Sequence, residues 1–208
     1  MIALTDAFAL LGTTLAVYAG CLTVLYATRG IRFRPHYAQI VLTFLVLFIV
    51  LVPTRGQFSI AFYIRGFSSD LSMTLVALSV WSICYRFGLI KPVDRHEFQA
   101  LMVTIAPAAL LLYPTALGWG DWDAYRLGWG SWQFLLALLL LCGVSASMGL
   151  RVLPALIALA LLAWSVGLME SGNLWDYLVD PWLSAFALGY VVNKFFIKCL
   201  YNARHRLS

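Results

Sequence analysis

Seven runs of apolar residues, separated by short polar breaks, dominate this chain: Leu4–Tyr26, Tyr37–Val52, Leu71–Ile90, Phe98–Leu117, Trp132–Met148, Pro154–Met169 and Trp182–Leu200. A helix needs roughly 20 apolar residues to cross about 30 Å of hydrocarbon, and each run approaches or meets that length. Too little polar sequence is left between them to coat a soluble domain. Of the 208 residues, 62% are hydrophobic and 11% charged, against about 45–50% and about 25% in soluble domains. The expected fold is all-α: a polytopic integral membrane protein with about seven transmembrane helices, forming a single bundle over residues 1–208. The same composition sets aside a disordered chain, a disulfide-rich secreted scaffold and a nucleic-acid-binding domain.

Charge sets the expected orientation. With seven spans, Arg29, Arg32, Arg34, Arg86, Lys91, Arg95, Arg151, Lys194, Lys198, Arg204 and Arg206 share one side, and Arg55, Arg65 and Arg126 take the other. The positive-inside rule then puts the N-terminus outside and the C-terminus, with a basic tail over 201–208, in the cytoplasm. The arrangement requires a turn at Gly149–Leu153, where Gly149 and Pro154 punctuate the pattern around Arg151. The acidic residues segregate oppositely: Asp94 and Glu97 lie inside, and Asp6, Asp70, Asp121, Asp123, Glu170, Asp176 and Asp180 outside. The outer face sums to −4 and the inner to +9, matching the net +5. The first run lacks the positive n-region of a cleavable signal and reads as a span. A bacterial inner membrane fits the short loops and basic inner face.

Small residues at four-residue spacing allow helices to approach closely in lipid. Gly12, Ala16 and Gly20 on the first helix, and the pairs Ser145/Gly149 and Gly143/Ser147 on the fifth, are expected to be internal packing faces. Pro107 and Pro114 are expected to bend the fourth helix or interrupt its ladder. Two outer features stand apart. Residues 54–68 mix Arg55 and Arg65 with Phe58, Phe62, Tyr63 and Phe67, as an interfacial segment in the outer leaflet would. Residues 118–132 form a Trp/Gly-rich outer loop in which Gly-Trp-Gly recurs after ten residues. Trp119, Trp122, Trp129, Trp132, Trp175 and Trp182 read most simply as an aromatic belt at the headgroups.

Much chemistry is absent from the pattern. His36, His96 and His205 all fall on the inner side without a zinc-ligand spacing, so neither a His/Cys metal site nor an outward Ser-His-acid hydrolase is visible. His96 with Asp94 and Glu97 reads as a solvated cluster. No CxxC joins Cys21, Cys84, Cys142 and Cys199. Lys194 has no acid in its own helix, which argues against a retinal protein. The polar groups at depth are Thr13, Thr14, Ser79, Ser82, Thr104, Ser145, Ser147 and Ser165, with no carboxylate or histidine to couple protons.

The outer face is therefore the expected place for a site. Arg55, Arg65 and Arg126 are candidates to hold phosphate, since guanidinium binds it bidentately. Trp122 and Trp129 are candidates for the apolar or sugar part of a ligand. Asp121 and Asp123 form a DxD spacing that suits a divalent cation; no other cofactor is evident. Asp176 and Asp180 share a face if Leu174–Asp180 is helical, with Arg65 and Arg126 as natural partners. The expected function is binding or processing of an anionic lipid, or a lipid-linked envelope intermediate, at the outer (periplasmic) face. The alternatives are a non-catalytic subunit or scaffold of a larger membrane complex, and a facilitative transporter or scramblase. The expected partners are membrane lipid and a protein of such a complex.

Overall fold

The computed structural model describes residues 4–29, 36–52, 59–68 and 70–206. These form nine α-helices and one 3-10 helix, and no strand occurs among the described residues. In chain order they are α1 (Leu4–Arg29), α2 (His36–Leu51), α3 (Ile60–Ser68), α4 (Met73–Arg86), α5 (Arg95–Ala116), the 3-10 helix Ala124–Gly128, α6 (Trp132–Ser147), α7 (Val152–Ser165), α8 (Leu174–Leu178) and α9 (Pro181–Arg206). Each of the seven apolar runs falls on one long element, and α3 and α8 are short additions. Two helices, α1 over Leu4–Val24 and α5, are long and apolar enough to cross a membrane. Helices α4, α6 and α7 are apolar but hold 14, 16 and 14 residues, fewer than the runs suggested.

The shortening has a local cause. An L-residue resists positive φ, whereas glycine adopts it freely and so ends helices. Gly149 takes φ 78° after α6. The Leu150 N–H bonds back to the Ser145 carbonyl at 2.9 Å and Gly149 N–H to that of Ala146, a Schellman closure. The turn expected around Arg151 is therefore real. Across it, the first N–H groups of α7 meet a carboxylate from α5: Glu97 accepts from Arg151 N at 2.8 Å and from Val152 N at 3.0 Å. A helix N-terminus leaves its first amides unbonded and favours negative charge, so Glu97 answers both needs. Pro154, in the first turn of α7, forfeits no intrahelical bond. At the start of α5, Asp94 caps the amide of His96 at 2.8 Å. Asp94 and Glu97 are thus helix-capping groups, and Asp94, Arg95 and His96 are exposed, as a solvated cluster would be.

The chain divides into two compact units. Met1–Pro92 with Ala158–Leu178 make the first. In it α1 packs against α2, α3 and α4. Gly12 is the close approach, since a Cβ there would come within 2.9 Å of Val76 Cγ2. The rest of the small-residue stripe does not follow suit, because Gly20 is exposed with nothing within 4 Å. A core of Tyr18, Leu22, Val46, Val50 and Ala61 joins α1, α2 and α3, and the Tyr18 and Thr43 hydroxyls hydrogen-bond between α1 and α2 at 2.5 Å.

Val93–Ile157 with Val179–Ser208 make the second unit. There α5 packs against α9, with Phe98 edge-on to Phe186 and Tyr190 at ring separations of 6.3 and 5.4 Å. Helix α5 continues through Pro107 and Pro114, each of which lacks the N–H of one ladder bond. On α6, Ser145 is buried while Gly143, Ser147 and Gly149 are exposed, so the Gly143/Ser147 pair is not an internal packing face. Replacing Glu97 by Ala leaves the two α7 amides without their acceptor. The expected cost is about 1–2 kcal/mol, read as a lowered unfolding midpoint with faster hydrogen exchange confined to the first turn of α7.

Candidate functional site

The hydroxyls within the long helices are satisfied locally. Thr13, Thr14, Ser79, Thr104 and Ser145 each donate to the carbonyl four residues earlier at 2.7–2.9 Å. Ser147 and Ser165 donate to the carbonyl three residues earlier, both at about 2.7–2.8 Å. The ion pairs and the capping carboxylates, by contrast, stand at helix ends and in loops.

In the first unit the strongest gathering is built on Arg65 of α3. Its Nη1 donates to Asp6 at 2.6 Å, its Nε to Asp70 at 2.9 Å and its Nη2 to Glu170 at 2.5 Å. The three carboxylates come from the first turn of α1, the approach to α4 and the loop after α7. The Arg65 side chain is 14% exposed, Asp70 6% and Glu170 63%, so the contact runs from nearly buried to open. The bond to Asp6 foremost, with Asp70 and Glu170, raises the guanidinium pKa above its ordinary range against the opposing effect of burial. One cation and three carboxylates leave a local charge of −2. Arg65 is thus a cross-link between elements, and a phosphate approaching it would meet a carboxylate at each of its three nitrogens. Asp6, Asp70 and Glu170, and not Asp176 or Asp180, are the carboxylates that Arg65 bonds among the described residues.

The loop leading from α7 to α8 is ordered by side chains of the same unit. Gly167 closes α7 with φ 62°. The fully buried Tyr177 phenol accepts from Met169 N at 3.0 Å and donates to the Ser171 carbonyl at 3.1 Å. Trp164 Nε1 donates to the Gly172 carbonyl at 2.8 Å. The buried Asn173 caps α8 at the Trp175 amide, 3.0 Å away, and Ser171 donates a short hydrogen bond to Asp176. Burial pushes the Tyr177 phenol above its usual 10, the negative charges of Asp176 and Asp70 add to this, and the Met169 amide opposes it.

The second unit carries the Trp/Gly-rich loop. Its 3-10 helix packs against α5 and α6, and the backbone is tied at several points. Trp119 N donates to the Pro114 carbonyl at 3.0 Å, and Ser131 N to that of Leu127 at 3.2 Å. Ala124 N donates to the Thr115 hydroxyl at 3.1 Å, and Tyr125 N to the Asp123 carboxylate at 2.9 Å. Trp119, Trp122, Trp129 and Trp132 nevertheless remain exposed, as do Asp121 and Arg126. Trp129 lies edge-on to Tyr125 with ring centres 6.3 Å apart.

Other expected site residues take structural posts. Helix α8 ends at Leu178, so Asp176 and Asp180 do not share a helical face. Asp180, 3% exposed, caps α9 at the Leu183 amide, 2.9 Å away. Trp175 is buried and stands apart from any belt. Arg55 lies outside the described residues. Among those residues no three His, Cys, Asp or Glu are grouped to hold a metal ion, and the four cysteines are free thiols. The partners of Arg65 went unrecognised in the sequence. Asp70 is five residues away and within local reach, whereas Asp6 and Glu170 lie 59 and 105 residues away with no pattern linking them. Comparison with protein-family models, with curated proteins and with solved structures finds no match.

Substituting Arg65 by Gln leaves three carboxylates facing one another. It is expected to cost about 3 kcal/mol, and adding Asp6→Asn should recover part of the loss by removing one charge. A double-mutant cycle of unfolding midpoints reads this directly. The Tyr177 pKa is higher folded than unfolded, so its contribution is full below about 10 and is lost as pH rises through the folded value. Alkaline unfolding of the wild type should therefore carry a step that disappears in Tyr177→Phe, which is also expected to lose about 1–3 kcal/mol at neutral pH through the orphaned Met169 N–H.

Proposed function

We propose that this is a multi-pass inner-membrane protein that binds an anionic lipid at the outer face through residues 118–132. In this reading α1, α2, α4, α5, α6, α7 and α9 cross the bilayer, with the N-terminus outside and the C-terminus in the cytoplasm. The short helices are extended by flanking apolar residues, among them Leu89, Ile90, Met148 and Val166, all exposed. Mismatch of a few ångströms is accommodated by tilt or local thinning at modest cost. Phe44, Leu139, Leu140, Phe195 and Phe196 are also exposed on long helices, a surface that suits lipid and not water.

The observation that carries the binding reading is the exposed Arg126 set among exposed tryptophans on a tied backbone. It supports binding over processing, because the outer carboxylates, the exposed Asp121 excepted, already hold structural contacts. Asp123 and Asp180 cap helices, and Asp6, Asp70 and Glu170 surround Arg65. A second reading, docking to another subunit, draws on the same exposed Trp and Arg side chains, which interface hot spots favour.

Native mass spectrometry of the full chain extracted gently from its membrane separates the two. A retained anionic phospholipid whose occupancy falls about tenfold in Arg126→Ala, the effect of one charge-assisted contact, supports lipid binding. Unchanged occupancy together with a stoichiometric protein partner supports docking. A reporter fused after Ser208 that appears outside overturns the seven-span arrangement.

A further inference from the structure

We propose that the second half of α9, residues 192–206, is a binding surface for anionic phospholipid at the inner face of the membrane. The inference rests on the spanning arrangement above, which puts the C-terminus in the cytoplasm, and concerns a different segment from the Trp/Gly-rich loop.

Helix α9 outlasts the helix it packs on. The Ser184 hydroxyl, early in α9, donates to that of Tyr113, near the end of α5, at 3.5 Å. Phe98, in the first turn of α5, meets Phe186 and Tyr190 further along α9. The two helices therefore run antiparallel, and α5 begins at Arg95, three residues before Phe98. At about 1.5 Å per residue, Arg95 lies about 4.5 Å from the level of Phe98, and Lys194 about 6 Å from that of Tyr190 in the same direction. Lys194 thus stands near the level at which α5 starts, and α9 continues to Arg206. Burial follows this geometry. Leu183, Ser184 and Ala187 are buried, whereas every residue from 192 to 199 is exposed.

Eight consecutive exposed residues make about two turns and face every side of the helix. Phe195, Phe196 and Ile197 are among them, and a rod with apolar side chains around most of its circumference suits lipid and not water. A protein docked on one side would leave the others wet. Lys194 and Lys198 are one turn apart on the remaining side. Their apolar stems can lie along the helix while the ammonium groups reach the headgroup level.

Charge names the lipid. Residues 181–208 carry Lys194, Lys198, Arg204 and Arg206 and no Asp or Glu. Lys194 stands 5.7 Å from the centre of the Tyr190 ring, and neither lysine pairs with a carboxylate among the described residues. The acids at the start of α5 are engaged by backbone amides, Asp94 by that of His96 and Glu97 by those of Arg151 and Val152. An anionic headgroup supplies the counter-charge for these cations, and a zwitterionic one does not.

The test is native mass spectrometry of the full chain in detergent, with phosphatidylglycerol and phosphatidylcholine offered at equal concentration. It is run on the wild type and on an Arg126→Ala background, which removes the outer-face contact. On that background phosphatidylglycerol is expected to be retained over phosphatidylcholine by about 25-fold, about fivefold for each lysine. Adding Lys194→Gln and Lys198→Gln together should abolish the preference, and Lys194→Arg with Lys198→Arg should keep it, since arginine carries the same charge. Every substituted position is exposed, and unchanged elution and circular dichroism verify the fold of each variant. A preference already lost with Arg126→Ala overturns the proposal and leaves the outer-face reading standing. A preference that survives the glutamine pair on the Arg126→Ala background overturns both. A stoichiometric protein released by the glutamine pair, with no preference between the lipids, overturns the proposal in favour of docking. A reporter fused after Ser208 that appears outside overturns the inner-face assignment even where the preference follows the lysines.

Discussion

A buried N–H or C=O without a partner costs free energy wherever water is excluded, and in a chain this apolar that cost shapes everything else. Regular helices satisfy the middle of each run internally, which leaves the first and last turns as the only places where side chains must help. The polar residues of this protein stand at those places. Ser72, Asp94, Ser131, Asn173 and Asp180 cap helix starts. Glu97 does the same from a distance for α7. Within the helices the hydroxyls fold back onto their own carbonyls. The result is a set of apolar rods whose polar chemistry is confined to their ends.

Within that frame Arg65 has a particular burden. It sits on a nine-residue helix, too short to be held by its own ladder. Ala61 anchors one side of that helix in the core shared with α1 and α2, and Arg65 fastens it to three carboxylates. One guanidinium has enough donors for all three, and its planar fork suits several acceptors at once better than an ammonium would.

The contrast with Arg126 follows from setting and not from residue type. Both are arginines near aromatic residues and acids in the sequence. Arg65 lies where the ends of α1 and α4 and the loop after α7 bring carboxylates inward, whereas Arg126 lies on a 3-10 turn whose own acid, Asp123, is engaged by the backbone. The 3-10 segment thus combines a backbone held by neighbours with side chains left outward.

The sequence by itself determined the helical class, the placement of the seven long helices and the turn at Arg151. Those features depend on apolar runs and on Gly and Pro punctuation, signals read within a few residues. Glycine also set how early α7 ends, although the apolar run continues to Met169. Only the tertiary structure decided what the charged and aromatic residues do. Arg65 reads as a phosphate ligand until residues 59 and 105 positions away arrive beside it. Trp175 reads as a belt residue until packing buries it, and Asp180 pairs with Asp176 on paper until α8 stops at Leu178. Local hydrogen bonding repeats over three or four residues and is written into the sequence, whereas the partner of a side chain is selected by which helix ends meet in space.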